Sequence, residues 1–274
     1  MMGLAEYVAG VRRALDYIAA GDIYQVNLSH RIVCPFEDDP VALFRDLSES
    51  NPSPFAAFLD GGHFKVLSAS PERFLRLRGG RARSAPIKGT RPRGQSPQSD
   101  EQLAEELLAS SKDRAENVMI ADLVRSDLGR VCAPGSVRVE GLCRLESFAT
   151  VHHLVSNVIG RVRPGCDRLD VVRALFPGGS MTGAPKVRAM EVIDEIEREE
   201  RGIYSGSIGY LSCDGTVDFN IVIRTLVCRD GLAHLRVGGG IVAESEPLAE
   251  YRESLDKARA LLDVLRADLR SPVG

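Results

Sequence analysis

Residues 23–33 have the sequence IYQVNLSHRIV, in which apolar and polar side chains alternate almost without a break. The apolar set is Tyr24, Val26, Leu28 and Ile32, and the polar set is Gln25, Asn27, Ser29 and Arg31. Because successive side chains of a strand point to opposite faces, this alternation predicts a β-strand with one apolar and one polar face. A core on one side and polar contacts on the other are therefore expected.

Further elements are predicted on both sides of this strand. Short strands are expected at 55–59, 63–70, 73–78, 137–145, 149–162, 204–213, 216–228 and 232–237, with glycine pairs at 61–62 and 79–80 as hairpin turns. Helices are expected at 4–20, 100–129, 168–176, 185–200 and 247–268. Strands that come in runs, instead of alternating with helices, indicate an α+β fold with mostly antiparallel sheets. One domain over residues 1–274 is the simplest organisation.

The composition excludes several classes of protein. The chain has 274 residues, 44% of them hydrophobic and 27% charged, with a net charge of -3, so neither nucleic acid nor an anionic membrane is an expected partner. No stretch approaches the roughly 20 apolar residues of a membrane span, and the charged N-terminal segment lacks the apolar core of a signal peptide. The six cysteines are scattered, which favours reduced thiols in the cytoplasm.

Two pairs of acidic residues at i, i+3 spacing are candidate metal ligands. They are Asp113 with Glu116 and Glu250 with Glu253, and each pair shares one face of a predicted helix. Two such faces directed at each other would offer the carboxylate oxygens that Mg²⁺ prefers. Acid pairs on helices are also common on solvated surfaces, so the spacing alone leaves both interpretations open.

Two glycine-rich segments and one arginine are candidate anion sites. FPGGSMTGAPK (176–186) precedes a predicted helix whose N-terminus favours an anion. GGG (238–240) either allows close approach of a ligand or forms a turn. Arg224 lies in the apolar strand predicted at 216–228, where its charge requires an acidic partner or an anionic ligand. Both explanations remain open for each feature.

Lys88, in SAPIKGTRPRG, is the most distinctive candidate nucleophile. Arg83, Arg91 and Arg93 flank it, and like charges together with burial lower the pKa of a lysine. A lowered pKa raises the fraction of free amine that can attack a substrate. A solvated surface lysine is the alternative.

Nine ordered segments resemble the chorismate-utilising enzymes, a family that includes anthranilate, aminodeoxychorismate, isochorismate and salicylate synthases. The segments are GDIYQVNLSHR, SASPERF, PIKGTRPRG, KDRAENVMIADLVRSDLGR, HHLVS, PGGSMTGAPK, RGIYSGSIGY, NIVIRT and GGGIVAESEPLAEYRESLDKA. They extend from about residue 21 to about residue 262, nearly the whole chain. The resemblance implies the family's fold, in which large, mostly antiparallel sheets form a sandwich with helices packed outside.

The resemblance also implies roles for individual residues. Mg²⁺ would be bound directly by Glu116 and Glu253, supported by Asp113 and Glu250, and would hold the ring carboxylate of chorismate. The implied substrate-binding residues are Gln25, Thr90, Ser180, Thr182, Tyr204, Arg224, Gly238, Gly239, Gly240 and Lys257. The implied catalytic residues are Lys88, Glu72 and His153, with Glu72 placed to protonate the departing C4 hydroxyl.

Two positions distinguish branches of the family. Water-using members carry a lysine base where this chain has Gln25, so the resemblance implies ammonia as the nucleophile. The lysine of PIKGT, Lys88, is typical of aminodeoxychorismate synthases, whereas anthranilate synthases typically read PIAGT. The implied product is 4-amino-4-deoxychorismate, formed by a transaminase-type transferase on the way to 4-aminobenzoate and folate. Anthranilate synthase component I is the alternative enzyme, and a catalytically silent chorismate-binding subunit is the alternative of another class.

The resemblance further implies a partner and a shortened chain. No cysteine lies in a glycine-rich elbow with a downstream His-x-Glu, as a glutamine amidotransferase requires, so a separate amidotransferase subunit is the expected supplier of ammonia. Family members commonly carry a long N-terminal region, whereas this chain begins about twenty residues before the first shared segment. A naturally short form and a truncated gene product are the two explanations for this difference.

Overall fold

The computed structural model describes residues 2–266. Its helices are α1 (Leu4–Ala19), α2 (Pro40–Ser50), α3 (Pro97–Ala109), α4 (Ser111–Gly129), α5 (Arg168–Leu175), α6 (Gly179–Thr182), α7 (Lys186–Glu197) and α8 (Pro247–Val264). Its strands are β1 (Gln25–Pro35), β2 (Phe55–Asp60), β3 (Lys65–Ser70), β4 (Arg73–Arg78), β5 (Arg81–Ala85), β6 (Ile87–Pro92), β7 (Arg138–Ser147), β8 (Val151–Arg161), β9 (Gly183–Ala184), β10 (Gly209–Leu211), β11 (Val217–Asn220), β12 (Thr225–Arg229) and β13 (Leu232–Ile241). None of the helices between residues 2 and 266 is long and apolar enough to cross a membrane.

Three predicted elements are wrong in extent. The helix predicted over 100–129 is two helices, because Ser110 ends α3 and its hydroxyl accepts a hydrogen bond from the Asp113 amide at the start of α4 (3.2 Å). The strand predicted over 216–228 is divided between β11 and β12, which belong to different sheets. The strand predicted over 204–213 is reduced to the three residues of β10.

Contacts divide the described residues into two compact units, each with its own sheet. Unit 1 contains residues 2–71, 181–206 and 222–266, and unit 2 contains residues 72–180 and 207–221. All strand pairs in both sheets are antiparallel, which confirms the predicted α+β class. The single domain expected over 1–274 stays a prediction, because compactness alone does not establish independent folding.

The sheet of unit 1 has six strands in the order β2-β3-β12-β13-β1-β9. Val26 and Leu28 of β1 are at most 2% exposed and pack with apolar residues of α1 and α7. Leu235 of β13 packs with Leu261 of α8 in a second cluster. The apolar face predicted for β1 is therefore confirmed. The predicted end of α8 at 267–268 lies outside the described residues.

The opposite face of β1 is polar and yet buried. Gln25, Asn27 and Ser29 are 1%, 5% and 0% exposed. Asn27 pairs with Gly240 and Ser29 with Gly238 on β13, so the glycine triplet lies within a strand and the turn interpretation is wrong. Buried amides and hydroxyls beside glycines that carry no side chain are suited to a ligand with hydrogen-bonding groups.

The sheet of unit 2 has seven strands. Six follow the order β10-β11-β4-β5-β8-β6, and β7 also pairs with β8. Helix α4 packs on β6, β7 and β8, and the Asn117 amide of α4 donates a hydrogen bond to the Leu154 carbonyl of β8 (2.9 Å). This packing sets the face of α4 that carries Asp113 and Glu116 against β6, which carries Lys88.

His30 of β1 is a buried histidine whose protonation is expected to destabilise the fold. Its Nε2 donates a hydrogen bond to the Ser254 hydroxyl (2.8 Å), which donates in turn to the Tyr251 carbonyl (2.7 Å). Burial lowers the pKa of His30 from 6.5 to about 4, and the charge of Arg236 adds to this effect. Between these two values the unfolded chain binds more protons than the folded one. The free energy of unfolding therefore falls as the pH drops through that window.

The substitution His30→Gln removes this titration and keeps a donor for Ser254. Between about pH 7 and about pH 5, we expect the wild type to lose about 2 kcal/mol more of its unfolding free energy than this variant. Urea denaturation at both pH values measures the difference. The exposed His63 provides the control, because His63→Gln is expected to lose as much as the wild type. Equal losses in His30→Gln and the wild type would contradict the assignment.

Candidate active site

Arg224 of unit 1 has no acidic partner among residues 2–266. It lies between β11 and β12 with a left-handed φ of 51°, and burial lowers the pKa of its guanidinium. Among residues 2–266, no side chain forms an ion pair or a hydrogen bond with that guanidinium. Strain and a desolvated charge both cost free energy unless something compensates them. No acidic residue among those described therefore balances the charge of Arg224. An anionic ligand remains the predicted partner.

Replacing Arg224 by methionine is expected to stabilise the protein while abolishing binding of a carboxylate ligand. Substituting an unpaired desolvated charge with an apolar side chain of similar length should raise the unfolding free energy by about 1 kcal/mol. Thermal unfolding and ligand titration together measure both effects. Arg73 offers the matched control, because its guanidinium lies 3.0 Å from Asp218 and Arg73→Met should destabilise. A destabilised Arg224→Met variant would argue against an unpaired charge.

The structure brings five of the predicted site residues of unit 1 together. The ammonium of Lys257 donates a hydrogen bond to the Gly238 carbonyl (3.1 Å) and pairs with the Glu253 carboxylate (2.8 Å). A Cβ added to Gly239 would lie 3.1 Å from Glu250 Oε2 and 3.6 Å from Lys257 Nζ. Only glycine therefore leaves the backbone open beside these charged groups.

Tyr204, Gln25 and Thr182 of unit 1 are all buried. Burial raises the pKa of Tyr204 to about 12, so its phenol remains a proton donor at neutral pH. The side-chain oxygen of Gln25 has no hydrogen-bond partner within residues 2–266. Thr182 is 3% exposed and directly precedes β9, whose Ala184 pairs with Gln25. These residues offer a donor and an acceptor for a ligand.

Glu72 of unit 2 is a buried carboxyl group with an acid-like pKa. It is 4% exposed, and burial raises its pKa to about 7. A hydrogen bond from the Ser180 hydroxyl, the charge of Lys88 and the amide of Ile87 act in the opposite direction. A carboxyl group with a pKa near neutrality can both hold and release a proton under ordinary conditions, which suits a general acid.

Lys88 of β6 faces carboxylates rather than arginines. Its ammonium lies 3.9 Å from Glu116 Oε2, and the two side chains are 12% and 13% exposed. The next residue, Gly89, has a φ of 85°, and an added Cβ there would lie 2.9 Å from the Cβ of Asp113. The structure thus brings Lys88, Glu116 and Asp113 to one place in unit 2.

Each arginine that flanks Lys88 in the sequence has a partner of its own, so the effect of these charges on Lys88 stays a prediction. Arg83 donates to the Asn157 side-chain oxygen (2.9 Å). Arg91 pairs with Asp113 (3.3 Å) and Glu106 (2.9 Å), and Arg93 pairs with Asp100 (2.6 Å). These partners lie in α3, in α4 or in β8, outside the PIKGT segment. The residues next to Lys88 in the sequence therefore could not reveal them.

His153 and Thr90 form a hydrogen-bonded pair in unit 2. The Thr90 hydroxyl lies 2.8 Å from Nδ1 of His153, and the two residues are opposite each other on β6 and β8. His153 is 2% exposed, and its ring lies 5.6 Å from that of Phe148. This contact orients the imidazole and places both predicted residues on the same sheet as Lys88.

The predicted magnesium ligands occur as two pairs, one in each unit. Within residues 2–266, no group of three or more histidine, cysteine or acidic side chains is arranged to hold a metal ion. Magnesium is commonly held by one or two carboxylates with water and substrate oxygens, so it does not require such a group. Glu116, with only 13% of its side chain exposed and a cation 3.9 Å away, is chemically suited to exchange that cation for a metal.

Asp127 is a residue that the sequence analysis missed. It is 7% exposed and lines, with Glu72 and Ser180, a cavity of about 10 Å³ in unit 2. That volume has room for about one water molecule beside the two carboxyl groups. A signal was present in the sequence, because an acidic residue in the last turn of a helix opposes the helix dipole and needs a compensating reason.

Comparison with known proteins identifies relatives over nearly the whole chain. A family model described as chorismate binding enzyme matches residues 2–263. Anthranilate synthase component 1 of Streptomyces coelicolor is 49% identical over 263 residues, which is 96% of this chain and 52% of the relative. Aminodeoxychorismate synthase component 1 of Klebsiella aerogenes is 49% identical over 266 residues, which is 97% of this chain and 59% of the relative.

These relatives differ in the reaction that their names state, yet they are equally similar to the chain. The chain spans between 52% and 59% of their length. Among solved structures, anthranilate synthase component I from Streptococcus pneumoniae matches with a TM-score of 0.86 and 37% identity, over 94% of this chain and 57% of that chain. This match supports the fold that the nine shared segments implied.

Proposed function

This chain belongs to the family of chorismate-binding enzymes, and we propose that it transfers an amino group to C4 of chorismate. The observation that carries the proposal is the pairing of a lysine with a general acid in unit 2. Glu72 is buried, only 12% of the Lys88 side chain is exposed, and the two are close enough for the charge of Lys88 to act on the pKa of Glu72. A lysine nucleophile and a proton donor for the departing hydroxyl together suit a two-step replacement of that hydroxyl by an amine.

The proposed reaction proceeds by two displacements. The ammonium of Lys88 first releases a proton to solvent. The resulting amine forms a bond to ring C2 while the C4–O bond breaks, and the departing hydroxyl takes the proton of Glu72 and leaves as water. Ammonia then bonds to C4 while the C2–N bond to Lys88 breaks, and its surplus proton restores Glu72. The product is 4-amino-4-deoxychorismate, a precursor of 4-aminobenzoate and folate.

The carboxylates of chorismate are assigned to the anion-binding groups of unit 1. Arg224 supplies an uncompensated positive charge, and Tyr204 supplies a phenol that stays protonated. Lys257 adds a cation, and Gly238 to Gly240 add a stretch of β13 that carries no side chains of its own. Ser180, Thr182, Thr90 and His153 are proposed as further pocket residues.

Mg²⁺ is the proposed cofactor, with Glu116 and Glu253 as direct ligands and Asp113 and Glu250 as supporting residues. When bound, it would neutralise carboxylate charge and hold the ring carboxylate of the substrate. The pairing of Glu116 with Lys88 and of Glu253 with Lys257 shows that both carboxylates already attract cations. This affinity for cations supports their proposed role.

Ammonia is the proposed nucleophile, supplied by a glutamine amidotransferase subunit. Gln25 occupies a buried position on β1, and an uncharged amide cannot deprotonate water, whereas ammonia needs no base. Its unpartnered side-chain oxygen can accept a hydrogen bond from ammonia. The component 1 names of the relatives support the existence of a second component. Free ammonium is expected to replace that component in the test tube.

Anthranilate synthase component I is the second candidate function. The chain is 49% identical to the anthranilate synthase component 1 of Streptomyces coelicolor and 49% identical to the aminodeoxychorismate synthase component 1 of Klebsiella aerogenes, so sequence identity supports both candidates equally. Such an enzyme would share the substrate and the metal and would release pyruvate. The buried Lys88 favours the first candidate, because anthranilate formation does not need a lysine nucleophile.

Product analysis by liquid chromatography and mass spectrometry tests the proposal. The purified chain is incubated with chorismate, Mg²⁺ and ammonium, with and without aminodeoxychorismate lyase. A product with the mass of aminodeoxychorismate, which the lyase converts to 4-aminobenzoate, is expected. Anthranilate would transfer the assignment to the second candidate, and isochorismate or salicylate would contradict the role given to Gln25. Failure of a folded sample to bind chorismate would refute the proposal.

A further inference from the structure

Arg201 joins three separate segments of unit 1. Its guanidinium donates hydrogen bonds to the carbonyls of Asn27 (2.6 Å) and Met181 (2.7 Å) and to both carboxylate oxygens of Glu197 (2.6 and 2.9 Å). We propose that Arg201 is a positioning residue, which fixes the segments that bind the carboxylates of the substrate without touching the substrate itself. The inference rests on the proposed function, because it assigns these segments to chorismate.

Each segment that Arg201 holds carries a residue assigned to the substrate. Asn27 lies on β1 two residues after Gln25, and Met181 directly precedes Thr182. The guanidinium carbon of Arg201 also lies 5.8 Å from the centre of the Tyr204 ring, within range of a cation–π contact. One side chain therefore sets the relative positions of these three regions.

The chain around Tyr204 is irregular and is held in part by turn hydrogen bonds, among them those from the amides of Ser205 and Gly206 to the carbonyls of Val222 (2.9 Å) and Ile203 (3.0 Å). No helix or strand covers residues 198–208, and the segment contains Arg198 at φ 52° and Ser205 at φ 64°. Left-handed residues that are not glycine cost free energy and persist only where their surroundings enforce them. The hydrogen bonds of Arg201 to β1 and to the residue before Thr182 add to that enforcement, because they fix this segment to two other site segments.

The guanidinium nitrogens of Arg201 donate their hydrogen bonds to protein acceptors, whereas those of Arg224 have no such acceptor among the described residues. Nε, Nη1 and Nη2 of Arg201 all donate within unit 1. Glu197, whose side chain is 1% exposed, neutralises the charge and accepts further hydrogen bonds from the Ser29 amide (2.8 Å) and hydroxyl (2.9 Å). Arg224 has no such partner among the described residues. Arg201 thus shapes the site, and Arg224 is left to bind the anion.

The substitution Arg201→Lys tests this role. A lysine keeps the charge opposite Glu197, but its ammonium lacks the planar fork that reaches both carbonyls. We expect the Kd and the KM for chorismate to rise at least about 10-fold, because misplacing a binding group weakens binding strongly, while kcat changes much less. A purely structural role predicts the opposite split, since a smaller folded fraction lowers the apparent kcat and leaves the KM unchanged.

Arg13→Lys is the matched control. Arg13 also pairs with a glutamate of α7, Glu195 (3.3 Å), but the hydrogen bonds of its guanidinium within residues 2–266 go only to the side chains of Tyr17 and Glu195, which carry no assigned role. Its Kd for chorismate should equal that of the wild type. If the Kd of Arg201→Lys for chorismate equals that of the wild type, the positioning role is overturned. Absence of binding in the folded wild type would instead refute the proposed function.

A measurement on the wild type covers the case in which Arg201→Lys does not fold. Amide hydrogen exchange of the ligand-free protein reports whether residues 203–206 are already held. Slow exchange of this segment, comparable to that of β1, is expected if Arg201 fixes it in advance. Exchange at the rate of an unstructured chain would overturn the inference.

Discussion

The substitution Lys88→Ala is expected to lower the rate of chorismate amination on the order of 10³-fold or more, because it removes the nucleophile of the first displacement. Chorismate binding should change little, since the carboxylates of the substrate are assigned to other residues. Steady-state kinetics with ammonium and titration calorimetry with chorismate measure the two effects separately. The expected result is thus a loss of turnover with retained affinity.

Two further variants separate the nucleophile from the charge. Lys88→Arg keeps a cation beside Glu116, 3.9 Å away in the wild type, but a guanidinium does not lose its proton and cannot attack. It should be as inactive as the alanine variant. Lys112→Ala, at an exposed position of α4, should retain wild-type activity. Turnover by Lys88→Arg would show that position 88 contributes only charge.

The substitution Glu72→Gln is expected to lower kcat by about 10²- to 10⁴-fold, the range for loss of a general acid. Glutamine fills the same space and can still interact with Ser180, but it has no acidic proton for the departing hydroxyl. Rapid sampling of product by mass spectrometry measures the loss. Glu101→Gln, at an exposed position of α3, serves as the matched control.

The pKa of Glu72 also predicts a pH dependence. Burial raises that pKa to about 7, so the protonated, active form is depleted as the pH rises through about 7. We therefore expect kcat of the wild type to fall on the alkaline side, by about 10-fold per pH unit at the limit. The residual rate of Glu72→Gln should lack this limb. A wild-type profile that stays flat from about pH 6 to about pH 9 would exclude Glu72 as the acid.

The alternation in IYQVNLSHRIV was sufficient to predict β1 and both of its faces, because the period of two follows directly from strand geometry. The polar face could be seen in the sequence, but its burial could not. Gln25 is buried beside Ala184 of β9 and Asn27 beside Gly240 of β13, and neither neighbour can be read from the local alternation. Local pattern therefore predicts an element, and partners distant in sequence decide its environment.

The errors have the same origin. Ser110 interrupts an otherwise continuous helical pattern because its side chain caps the second helix. The segment around Arg224 has a uniform strand pattern, yet a left-handed residue sends the chain from one sheet to the other. Glu116, a partner of Lys88, is 28 positions away (116 − 88), so the residues that flank Lys88 in the sequence could not reveal it.

The resemblance identified most of the candidate residues. The structure then gave their burial, their contacts and the direction of their pKa shifts. Periodicity placed Asp113 with Glu116 and Glu250 with Glu253 but could not distinguish them from surface acids. The structure separates Glu116, whose side chain is 13% exposed, and Glu250, which is 3% exposed, from surface acids, whereas Glu253 is 52% exposed. Arg201 gave no signal at all, since Asn27 and Met181 are distant from it in sequence.

The most direct test of the account is to look for the covalent intermediate on Lys88. The chain is incubated with chorismate and Mg²⁺ without ammonia, quenched in acid, and analysed by intact-protein and peptide mass spectrometry. We predict a mass increase equal to chorismate less one water, located on the peptide that contains Lys88 and abolished in Lys88→Arg. A chain that aminates chorismate when ammonium is added, yet carries no adduct in its absence at any quench time, would contradict the central claim.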